Sequence, residues 1–82
     1  MFMSEELDER IEVDPEKLGG QPVIRGTRIP VTQILVMLAN DWTIDEILEN
    51  FPELTKEDIK AAILYAKKVL EEIDTHPLPS RR

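Results

Sequence analysis

The chain has no cysteine. That excludes disulfides as a source of stability, and thiolates as nucleophiles or metal ligands. It has a single histidine, His76, set between Thr75 and Pro77 near the C-terminus. A catalytic base must be held within hydrogen-bonding reach of its substrate, so a histidine in an aperiodic tail reads as incidental. No apolar run approaches the ~20 residues of a membrane span. No basic-then-apolar leader opens the chain, which turns acidic by Glu5. There is no glycine-rich phosphate loop. Asp45, Glu46 and Glu49 fall on one helix, but Glu46 caps it and the others alternate with apolar positions. They read as a solvated face, not as the convergent oxygen ligands of a metal site. A cytoplasmic protein with no enzymatic activity, no cofactor and no metal is expected.

What is present is a small acidic domain. A chain of 82 residues buries only about 60–65% of its unfolded surface, so a homodimer or a complex is expected. The net charge of −7 is unevenly spread. Residues 1–20 carry net −5 and residues 41–54 another −5, whereas residues 21–40 carry only Arg25 and Arg28. Lysines and acids balance over residues 55–73. Such a chain binds DNA weakly without sequence preference, because that binding comes from phosphate neutralisation. It is better suited to a basic protein partner.

Taken in order, residues 1–9 read as a flexible acidic N-terminus, residues 10–73 as one domain and residues 74–82 as a flexible tail. Arg10 to Val13 alternates as a short strand, pairing with the next β-element or with its copy in a second chain. Asp14 to Gly20 is a turn or a single helical turn. Gly26-Thr27 then separates Val23-Ile24-Arg25 from Arg28-Ile29. A Gly at the first central position predicts a two-residue type II′ hairpin, with Ile24 opposite Ile29 and Arg25 opposite Arg28. Paired guanidiniums need a negative neighbour. Either Glu12, Asp14 or Glu16 supplies it, or an anionic partner does.

Three helices follow. Pro30 ends the second strand and lets Val31 open the first, to about Asn40, with Val31, Ile34, Leu35 and Leu38 on one face. Trp42 packs as a lid beside the break. Thr43-Ile44-Asp45-Glu46 is a capping box that opens a short helix to Asn50, which buries Ile44, Ile47, Leu48 and Phe51; Pro52 ends it. Thr55-Lys56-Glu57-Asp58 repeats the box in weaker form. The helix it opens runs to about Ile73, with Ile59, Ala62, Ile63, Ala66, Val69, Leu70 and Ile73 as one apolar stripe and Tyr65 at its edge. The fold class is therefore mainly α: a homeodomain-like three-helix (helix-turn-helix) bundle preceded by a small β-hairpin and a short N-terminal strand. In DNA binders of that shape the last helix enters the major groove. Its outward residues here are Thr55, Lys56, Glu57, Lys60, Ala61 and Leu64, with Lys67 further along. Lys56, Lys60 and Lys67 are the candidates for phosphates or guanine edges, opposed by Asp45, Glu46, Glu49 and Glu53 on and after the preceding helix.

The run Gly20-Gln21-Pro22-Val23-Ile24-Arg25-Gly26-Thr27-Arg28-Ile29-Pro30-Val31, then Ile47 to Thr55, then Asp58-Ile59-Lys60-Ala61-Ala62, resembles the "domain of unknown function 433" family over roughly residues 10–72. The histidine usual in that family just after the Phe-Pro pair is replaced here by Glu53 or Leu54. The resemblance implies a homeodomain-like domain behind a small β-element. It also implies an antitoxin-like role beside a PIN-like ribonuclease. Such a nuclease offers a basic RNA track that acids can cover, and a carboxylate-lined metal site that an arginine can plug. Arg25, Gly26, Thr27 and Arg28, or the terminal Arg81 and Arg82, are the partner-binding candidates. A stand-alone DNA-binding transcriptional regulator and a dimeric adaptor that touches no DNA stay open as alternatives.

Overall fold

The computed structural model describes Leu7 and residues 9–73. The described residues form a two-stranded antiparallel sheet, β1 (Ile11–Glu12) and β2 (Val23–Ile24), and three helices, α1 (Val31–Ala39), α2 (Ile44–Asn50) and α3 (Lys56–Glu72). A 3-10 turn, Leu18–Gly20, lies between the strands. The chain is mainly helical, as expected. The N-terminal strand finds its partner within the chain: Ile11 pairs with Ile24 and Glu12 with Val23. His76, Arg81 and Arg82, the N-terminal segment apart from Leu7 and Glu9, and the tail from residue 74 lie outside the described residues.

The β-corner differs from the expected hairpin. Ile24 does face Ile29, with Ile24 N donating to Ile29 O at 3.0 Å, and Val23 bridges to Pro30. The connection, however, is a four-residue loop. Thr27 N donates to Ile24 O at 3.0 Å, which makes Ile24 to Thr27 the tight turn and puts Gly26 at its third position with φ 82°. That is a type II turn, where the positive φ falls one residue later than in II′. The Thr27 side chain closes the rest. Its hydroxyl donates to Ile24 O at 2.8 Å and accepts from Ile29 N at 3.0 Å. Arg25 and Arg28 therefore sit in the loop and are not a cross-strand pair.

Pro30 precedes α1 at extended φ/ψ and supplies no side-chain cap. The helix closes in a Schellman motif. Asp41 N donates to Leu38 O and Trp42 N to Met37 O, each at 3.1 Å, with Asp41 at φ 70° where glycine is usual. Thr43 and Glu46 form both arms of the α2 capping box, at 2.8 and 3.1 Å. Thr55 and Asp58 do the same for α3, at 2.9 and 3.2 Å. The shorter Asp reaches the N-cap amide as well as Glu does, so this second box is complete and not weaker.

Val23, Ile24, Ile34, Ile47 and Ile59 are the fully buried centre, two from β2 and one from each helix. Ile11, Ile29, Val31, Met37, Leu54, Ala61 and Ala62 complete it. Leu35, Leu38, Trp42, Ile44, Leu48, Phe51 and Tyr65 pack half-buried around it. α3 lies against α1, α2 and β1. Two expectations for α3 need correcting. Ala61 is buried, not outward. The apolar stripe is fully buried only at Ile59 and Ala62, and Ile63, Val69, Leu70 and Ile73 are exposed.

Candidate functional site

The candidate site has two parts, the β-corner and the N-terminal face of α3, and Arg10 joins them. Arg10 O accepts from Arg25 N at 2.8 Å. Its guanidinium reaches the other way and donates from Nη1 to Asp58 Oδ1 at 3.0 Å and to Thr55 Oγ1 at 3.4 Å. One residue before β1 thus fixes both the corner and the start of α3. Asp58 is 6% exposed and is the one buried charged residue among those described. Both of its oxygens are used, one by the cap and one by Arg10. Sequence reasoning overlooked Arg10 because its partner is 48 positions away.

At the corner the two arginines differ. Arg25 folds back on β1: Nε donates to Glu9 O at 2.6 Å and Nη2 to Ile11 O at 3.4 Å. Its partners are main-chain carbonyls. None of the carboxylates expected to neutralise it, Glu12, Asp14 or Glu16, pairs with it: Glu12 is held by Lys17 at 3.1 Å and Asp14 by the Glu16 amide at 2.9 Å. Arg28 is exposed and makes no hydrogen bond or ion pair among the described residues. Gly26 is exposed beside it, and Thr27 is the half-buried peg of the loop. Arg25 and Arg28 are both exposed, and Arg28 is the one whose guanidinium makes no hydrogen bond among the described residues.

On α3, Lys56, Glu57 and Lys60 are exposed, and Leu64 is half-buried. Thr55 is spent as the N-cap. Lys67 is exposed but bonded to Glu71 at 2.6 Å, one turn on. Lys56 and Lys60 therefore remain as the cations of this face with no ion pair among the described residues. Asp45, Glu46, Glu49 and Glu53 are all exposed on and after α2. A shallow hollow of about 310 Å³ lies between the helix ends, lined by Asn40, Asp41, Trp42, Glu46 and Asn50. Glu46 is already committed to the cap there. No group of three or more His, Cys, Asp or Glu among the described residues is placed to hold a metal ion. No helix of the described residues is long and apolar enough to cross a membrane.

Known proteins resemble this chain in fold and in sequence. A crystal structure of a DUF433 member from Anabaena variabilis superposes with a TM-score of 0.72 at 35% identity, over 88% of this chain and 82% of that one. The uncharacterized protein y4eO of Sinorhizobium fredii is 36% identical over 85 residues, which takes in 96% of this chain. This chain spans 35% of the length of that relative. Residues 11–66, from β1 to the middle of α3, match the family described as "Protein of unknown function (DUF433)". The same span contains the Gly26 turn, Asp58 and both capping boxes, with Arg10 one residue before its start, and the chain belongs to the DUF433 family.

Proposed function

We propose that the protein acts by contact, as an antitoxin-like partner that binds and neutralises a PIN-like ribonuclease. The observation that carries this reading is Arg28. Its guanidinium stands exposed on a loop that Thr27 and the Ile24–Ile29 hydrogen bond already hold. A pre-ordered loop loses little conformational entropy on binding, and a forked cation suits the carboxylates of a metal-dependent nuclease site. The exposed acids of α2 suit the basic track along which such an enzyme holds RNA. The test is nuclease inhibition by the purified chain and its Arg28→Ala variant, using a PIN-like nuclease that copurifies with the chain. The expected result is copurification with the parent chain and at least about tenfold weaker inhibition by the variant, at an unchanged melting temperature. Inhibition by Arg28→Ala equal to that of the parent removes the reading.

A second role is favoured by a separate observation, the exposed Lys56 and Lys60 in the first turns of α3. Through them the protein, alone or with its partner, engages its own operator as a helix-turn-helix regulator. Lys56→Glu combined with Lys60→Glu abolishes an electrophoretic shift of that promoter DNA; an unchanged shift rules out this use of α3.

A further inference from the structure

α3 is longer than the layer it packs on. Its 17 residues span about 25 Å, whereas the 9 residues of α1 and the 7 of α2 span only about 13 and 10 Å. The stripe that begins as buried Ile59 and Ala62 continues past the end of the globule without a change of chemistry. Ile63, Val69, Leu70 and Ile73 are 43, 38, 68 and 48% exposed. Among the described residues, Val13, Leu18 and Val36 are exposed singly elsewhere, whereas these four lie together on one helix end, and apolar surface so concentrated marks a contact face.

We propose that a second copy of this chain covers the face, the two α3 helices running antiparallel. Three observations choose this occupant. First, Ile63, Ala66, Leu70 and Ile73 follow the three-four-three spacing of a two-stranded coiled coil. An antiparallel copy sets Ile63 against Ile73 and Leu70 against Ala66, so the most exposed side chain of the stripe meets its smallest. Each contact occurs twice by symmetry, and the pair is closed. Second, the charges are ordered for it. The Lys67–Glu71 ion pair, at 2.6 Å and more than half exposed, puts the cation first and the anion one turn later. Lys68 and Glu72 repeat that order. An antiparallel copy in this register brings its Glu71 within two residues of Lys67 along the axis. Third, the last turn of α3 carries Glu71 and Glu72 with no base, against the helix dipole; the lysines of an antiparallel copy offset that. Two helix ends bury less than the ≈ 800 Å² per partner of a standard interface, so the dimer is weak and depends on concentration.

Sedimentation equilibrium of the full chain across the micromolar range tests this. A single monomer–dimer equilibrium is expected. Leu70→Glu is expected to weaken it about thirtyfold or more, the effect of a central anchor. Because Leu70 stands largely in solvent, far-UV circular dichroism of that variant at low concentration should match the parent. Lys67→Glu and Glu71→Lys should each weaken the dimer, and the two together should restore it, because the reversed pair is again self-complementary. A parent chain that stays monomeric throughout overturns the proposal, as does a folded Leu70→Glu variant that dimerises like the parent. So does a double charge reversal no better than its single components.

Discussion

Asp58 is where single side chains matter most. Its carboxylate caps α3 through Thr55 N and holds Arg10 against the helix. Truncation to alanine removes a cap, about 1 kcal/mol, and leaves the Arg10 guanidinium without its counter-charge, a further 1–2 kcal/mol or so. The pair is only partly buried, with side-chain exposures of 31% for Arg10 and 9% for Asp58, so the Coulombic share is discounted for solvent. Asp58→Ala is therefore expected to cost about 2–3 kcal/mol, a fall of roughly 10–20 °C in melting temperature for a domain of this size. Arg10→Ala should cost less, about 1 kcal/mol, because the capping box survives without it. In a double-mutant cycle the pair should show coupling of at least about 0.5 kcal/mol. Zero coupling in thermal or urea melts would mean that Arg10 and Asp58 do not act on one another.

The turns between elements allow a stabilising prediction. Asp41 holds the left-handed position of the Schellman motif that ends α1, where a Cβ is strained and glycine is not. Asp41→Gly should raise stability by about 0.5–1 kcal/mol, after allowing for the extra entropy of glycine in the unfolded chain; a lower urea midpoint for the variant would contradict it. At this scale the sequence was informative wherever the signal is local. The boundaries of α2 follow from Thr43, Glu46 and Pro52, and those of α1 from Pro30 and Asn40. The corner was harder, because Gly26 serves a type II or a type II′ turn according to one residue of register. The Thr27 hydroxyl decided that register through two hydrogen bonds that no pattern encodes. The opposite fates of Arg25 and Arg28 follow from the same shift. Along α3 the apolar period was correct, but a period reports a face and not what lies against it. Buried Ile59 and exposed Leu70 look alike in sequence, and only the shorter lengths of α1 and α2 separate them.

Across the whole molecule, charge bears on the operator binding proposed for the α3 face. The chain carries −7 overall, and its exposed α2 acids stand on the helix that packs against α3. A monomer with two free lysines on that face holds a duplex feebly. Pairing changes the geometry. In an antiparallel pair crossing near residue 68, Lys56 lies about 18 Å along the axis from the crossing at 1.5 Å per residue. The two copies of Lys56 then stand about 36 Å apart and, by the two-fold symmetry, on the same side of the dimer. That separation is close to the roughly 34–36 Å between half-sites one helical turn apart. Four lysines reaching phosphates should give a slope of log Kobs on log salt near −4, at roughly −0.9 per phosphate. Fluorescence anisotropy with operator duplex between low and physiological salt measures it. Lys56→Gln with Lys60→Gln should flatten the slope towards zero, and Leu70→Glu should roughly halve it by separating the copies. A slope that ignores the lysines would assign the phosphate contacts to some other surface, and one that ignores Leu70 would detach DNA binding from the pairing of α3.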